Sequence, residues 1–115
     1  MRYLLVAAAV LWSATAFAAD PVGTYKIEGN NPGGGSKYTG TVTVEKTGDT
    51  FRVTWMVGDN KYVGTGLGDK NFIAVSYRSG KETGLALYSD DGGNWNGIWT
   101  YAGGRTMGIE TWKRQ

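Results

Sequence analysis

Lys37–Val57 reads KYTGTVTVEKTGDTFRVTWMV, and its two halves follow one rule. In the first half Tyr38, Gly40, Val42 and Val44 alternate with Thr39, Thr41, Thr43 and Glu45. In the second, Phe51, Val53, Trp55 and Val57 alternate with Thr50, Arg52, Thr54 and Met56. A period of two places each set on one face of a β-strand. Between the halves stands Lys46-Thr47-Gly48-Asp49, whose glycine and aspartate suit a tight hairpin turn. So short a connector joins only antiparallel neighbours, because a parallel crossover needs a dozen or more residues.

The same grammar extends in both directions and predicts eight strands, over residues 23–29, 37–46, 50–57, 61–67, 72–77, 84–89, 95–101 and 106–113. The connectors around 58–60, 68–71, 79–81, 90–94 and 102–104 are rich in Gly, Asn and Asp. The order is therefore an up-and-down meander. The seventh strand sets Trp95, Gly97, Trp99 and Tyr101 against Asn96, Ile98 and Thr100, which makes its inner face aromatic. The fifth, beginning Phe72-Ile73-Ala74-Val75, is apolar on both faces, so its register stays open. Gly40, Gly64, Gly66, Gly84, Gly97 and Gly108 fall inside strand patterns, where glycine marks coiling of the sheet or room for a large ring. Eight coiled strands close into a barrel and lose their exposed edges. The expectation is an all-β, small eight-stranded antiparallel up-and-down barrel, with the first strand against the last. Tyr25 and Ile27 then meet Met107 and Ile109 inside.

The chain has 115 residues. Its start reads as an export signal: Arg2, the apolar run Tyr3–Trp12 and the small-x-small Ala16-Phe17-Ala18. About ten apolar residues fall short of the roughly 20 that span a bilayer as a helix. Residues 1–18 are expected to be removed, leaving one domain over 19–115 in the periplasm or the medium. No cysteine is present, so this small exported domain relies on backbone pairing and aromatic packing instead of disulfides. Without Arg2, eleven Lys and Arg face ten Asp and Glu. They are scattered singly, with no basic stripe for a polyanion, and nucleic acid is not an expected partner. The pair Lys113-Arg114 reads as a frayed end. The presumed outer residues Thr39, Thr41, Arg52, Thr54, Asn96 and Thr100 belong in water, so insertion into a membrane as a β-barrel is not expected either.

The catalytic inventory is thin. Without His or Cys there is no Ser-His triad, no thiolate and no zinc site of the usual ligands. Glu28, Glu45, Glu82 and Glu110 could form a glycosidase-like pair, but most alternate with apolar residues and read as solvent-facing. Asp90-Asp91-Gly92-Gly93-Asn94 lacks the spaced ligands of a calcium loop and reads as a hairpin turn. Gly33-Gly34-Gly35-Ser36-Lys37 has the wrong order for a phosphate loop. The segment 30–35 is the longest loop, either a linker or a flap over one mouth of the barrel. The expectation is a non-catalytic protein with no metal and no cofactor.

The aromatic set Tyr38, Trp55, Tyr62, Trp95, Trp99 and Tyr101 is the best candidate for recognition. An eight-stranded barrel either fills its interior or holds one small ligand. Filling is the plainer outcome; otherwise some of these rings line a pocket mouth. Of the candidate binding residues Trp95, Tyr62, Trp55, Trp99 and Tyr38, the first two stand nearest strand ends and are preferred.

Several segments carry a family resemblance: YKIEG from Tyr25 with Asn31-Pro32, YTGTV from Tyr38, Val53-Thr54-Trp55, YVGTG from Tyr62, GLALY from Gly84, WNGIWT from Trp95 and GIETW from Gly108. As a set they resemble short exported bacterial proteins described as fibronectin-binding. That resemblance spans the domain and implies adhesion to an extracellular matrix protein, without implying which residues bind. Gly23-Thr24-Tyr25 and the run from Trp95 to Trp112 also resemble the first and the last two strands of avidin-like barrels. This second likeness covers the ends of the chain and implies shared topology, not the biotin-binding residues. The functional expectation is an exported binding protein for fibronectin or another extracellular protein. The alternatives are a periplasmic barrel for a small ligand and a secreted barrel that inhibits an enzyme through a loop.

Overall fold

The computed structural model describes residues 20–115; the expected export signal lies outside the described residues. Eight strands follow one another as β1 (Gly23–Asn30), β2 (Lys37–Thr47), β3 (Thr50–Val57), β4 (Asn60–Gly68), β5 (Phe72–Ser79), β6 (Glu82–Asp91), β7 (Asn94–Tyr101) and β8 (Gly108–Arg114). Each pairs antiparallel with its neighbours in sequence, and β1 pairs with β8, so the sheet closes on itself. Every strand then has both edges satisfied, which removes the row of unpaired backbone groups an open sheet presents. The hairpins turn where the sequence places glycine. Gly58, first of the two residues between β3 and β4, sits at φ +60°, a conformation that a residue with a Cβ adopts only at a cost.

The inner faces of β2 and β3 are those expected, with Val42, Val44, Phe51, Val53 and Trp55 buried. The ambiguous fifth strand resolves: Ile73, Val75 and Tyr77 point inward, while Phe72 and Ala74 face out. The last strand differs from expectation. It begins at Gly108, and Met107 and Ile109 are exposed. Tyr25 stands opposite Arg114, and Ile27 opposite Trp112. Gly108, Glu110 and Trp112 therefore form its inner face, because burying one indole removes more apolar surface from water than burying Ile109. The C-terminus is not frayed. Arg114 donates to the carbonyls of Gly93, Val22 and Asp20 and lies 4.7 Å from the centre of the Tyr25 ring.

Alternating connectors sort to the two ends of the barrel. The β2–β3, β4–β5 and β6–β7 turns, the start of β1 and the C-terminus lie at one end, which is filled. Tyr25, Trp95 and Trp112 are fully buried there, among Ile27, Val42, Val44, Phe51 and Ile73. Tyr25 donates its hydroxyl proton to the Pro21 carbonyl at 2.5 Å, closing that end from outside. The β1–β2, β3–β4, β5–β6 and β7–β8 connectors surround the other end.

Candidate functional site

That second end opens into a cavity of about 260 Å³ that runs down the barrel axis. Its wall comes from side chains on seven strands: Tyr38 on β2, Trp55 and Val57 on β3, Asn60 and Tyr62 on β4, Tyr77 on β5, Glu82, Ala86 and Tyr88 on β6, Trp99 and Tyr101 on β7, and Glu110 on β8. Asn31, just past β1, joins them from the long loop. That loop is tied down: Asn31 donates its backbone N–H to the Ser36 carbonyl at 2.9 Å, and Gly33 donates to the Met107 carbonyl at 3.3 Å.

The space exists because of where the glycines stand. Across neighbouring strands Tyr38 pairs with Gly29, Tyr77 with Gly84, Tyr88 with Gly97 and Trp99 with Gly108. At each pair the ring occupies the position that a Cβ on the opposing glycine would need. Rings laid over glycines stay along the wall and leave the axis open. A side chain at any of the four would push its ring inward. The aromatics meet one another at steep angles: Tyr62 and Tyr77 at 81° with centroids 6.0 Å apart, Tyr77 and Trp99 at 70° and 6.3 Å, Trp99 and Tyr101 at 82° and 5.2 Å, and Tyr38 and Trp99 at 76° and 6.1 Å. These are edge-to-face contacts, the preferred geometry for rings with a negative face and a positive rim.

At the bottom of the cavity lies Glu110, a buried carboxylate only 5% exposed. Four neutral donors converge on it. Tyr38 donates to Oε1 at 2.6 Å; Tyr88, Trp55 and Trp112 donate to Oε2 at 2.7, 2.9 and 2.7 Å. Burying a carboxylate costs several kcal/mol unless hydrogen bonds replace the lost water, and four such bonds from β2, β3, β6 and β8 do so here. The consequence reaches the phenols. Burial raises Tyr38 and Tyr88 well above the ordinary tyrosine value, and the Glu110 charge raises them further. Burial and then the Glu82 charge raise Tyr77 and Tyr62.

Five of the six aromatic candidates, Tyr38, Trp55, Tyr62, Trp99 and Tyr101, are brought together by this geometry. Trp95 is not among them. It starts β7 at the filled end, wholly buried and opposite Trp112, so its nearness to a strand end signals a core plug and not a mouth. The sequence candidates do not include Tyr77 and Tyr88, and of the four carboxylates weighed as a catalytic pair Glu82 is exposed at the cavity's edge while Glu110, expected outward beside an inward Ile109, is buried. The signal that could have found it was Trp112, two residues on and so on the same face. Glu28 points outward, so it does not pair with Glu110 as a two-carboxylate site would require. Asp90 accepts the Gly93 N–H at 3.0 Å within the β6–β7 turn, the hairpin role expected of it. The chain matches no protein-family model and no curated protein.

Proposed function

We propose that this protein is an exported, non-catalytic binding barrel that takes a small organic ligand through its open end. The observation that carries the reading is the unfilled half of the interior, an aromatic-walled cavity with one buried carboxylate at its base. Concave, mainly apolar sites with a few fixed polar groups are the usual form of small-molecule sites. Glu110 supports a binding role: four hydrogen bonds from the protein hold it in place at the base of the cavity, the setting of a fixed charge that orients a ligand. The export-like start of the chain supports a periplasmic or secreted location. The test is an NMR titration with a library of small soluble fragments, following the indole N–H signals. Ligands should move Trp55 and Trp99 and leave Trp95 in place; a library that moves none of them would end the proposal.

A second reading, recognition of an extracellular protein such as fibronectin, has its own support on the outer surface. Leu67, Ala74, Leu87, Ile98 and Ile109 are successive cross-strand partners from β4 to β8 and all face out. Such an apolar row suits a protein partner. In this reading Leu87→Lys abolishes saturable binding to immobilised fibronectin, whereas cavity variants leave it intact.

A further inference from the structure

We infer that the cavity selects a small organic cation, an alkylated ammonium, seating its charged head among the aromatic rings above Glu110. The inference rests on the reading of the cavity as a ligand site and names the chemistry of the ligand.

The charges come first. Two carboxylates, Glu110 at the base and Glu82 near the mouth, line the space, and among the described residues no Lys or Arg does. The four groups bonded to Glu110 are phenols and indoles, which solvate its charge without cancelling it. In a site walled by rings such a charge is felt more strongly than in water. An anion is repelled, and a cation finds an unneutralised partner. The donors point the same way. The hydroxyls of Tyr38 and Tyr88 are spent on Glu110, and that of Tyr77 points at the Thr100 carbonyl at 3.4 Å. At the base, beside Glu110, little therefore remains to greet an anionic head such as a carboxylate or a phosphate; the hydroxyls of Tyr62 and Tyr101 and the Asn60 amide stand nearer the mouth.

Shape completes the case. Rings at 70–82° to their neighbours present faces from several sides, the arrangement that attracts a cation through ring quadrupoles. An alkylated ammonium needs few hydrogen-bond acceptors, which suits these walls. Glu110 Oε1 accepts a single bond from the protein, and a carboxylate has about four acceptor directions in all. At about 260 Å³ the volume falls below the roughly 300–1,000 Å³ of drug-sized sites, so the ligand is small.

Calorimetric titration of the purified protein with choline and with its uncharged carbon isostere, 3,3-dimethyl-1-butanol, separates charge from shape. Choline should bind at least about tenfold tighter than the alcohol, and Glu82→Gln should weaken choline severalfold while leaving the alcohol unchanged. Glu110→Gln alone is a poorer test, because it disturbs the common acceptor of four donors; Glu82 is exposed and spares the fold. Equal binding of the two probes overturns the cation inference and leaves the ligand site standing. Failure of choline where uncharged fragments move the Trp55 and Trp99 signals overturns it too. If no fragment of any charge enters the cavity, the binding reading itself falls.

Discussion

The two ends of this barrel are made by the same eight strands and the same alternation, yet one end is solid and the other hollow. At the solid end Trp95 faces Trp112 across β7 and β8, and large side chains meet on the axis. At the hollow end Tyr77, Tyr88, Trp99 and Tyr38 each face a glycine on the next strand and lie along the wall. The difference teaches that inward-facing aromatics do not by themselves fill a barrel. A ring that lies over the opposing glycine becomes lining; Phe51 also stands opposite a glycine, Gly66, but Ile73 takes the space over it and Phe51 joins the core. Glu110 sits at the seam between the halves, held on one side by Trp112 of the core and on the other by Tyr38 of the cavity.

The largest expected effect comes from the solid end. Trp95→Ala should lose about 3–5 kcal/mol in urea unfolding, the usual cost of deleting a buried indole, against the roughly 5–15 kcal/mol total stability of a small domain. A loss below 1 kcal/mol would mean that the two ends are not divided as described.

Alkaline pH tests the seam. Burial above all raises the phenols of Tyr38, Tyr77 and Tyr88 in the folded protein. Between the unfolded value near 10 and the higher folded values, the folded state holds more protons than the unfolded chain. Their stabilising contribution is complete below about pH 10 and falls as pH rises beyond it, by about 1.4 kcal/mol per pH unit for each such phenol. Tyrosinate absorbance from these three should appear together with loss of the barrel. Their ionisation near pH 10 in a folded protein would contradict the buried site.

The smallest effect belongs to the rim. Tyr62→Leu should cost under about 1 kcal/mol, since the ring is only half-buried, while weakening every ligand that reaches the cavity. Stability lost on the scale of Trp95→Ala would make Tyr62 part of the core and erase the contrast between the ends.

Much of the site was legible in the sequence, and its limits are instructive. Tyr38, Trp55, Tyr62 and Trp99 carry their inward direction in local alternation, which made their place along the cavity wall legible. Trp95 carries the same signal with an equal claim to a strand end, but a period of two says which face a residue occupies and not which end of the barrel. Glu110 was missed because its donors arrive from residues 22, 55 and 72 positions away as well as from Trp112. Nothing beside it in the chain announces that a buried charge will be met there.

By itself the sequence determined the strands, the turns, the antiparallel meander and nearly every inner face, because these follow from side-chain period and from glycine at the turns. The tertiary structure alone decided the register of β8 against β1 and β7, and with it the burial of Glu110 and the pairing of rings with glycines. Those depend on which residues meet across the closed ladder. Closure is a property of the whole ring of strands, and no local stretch of the chain encodes it.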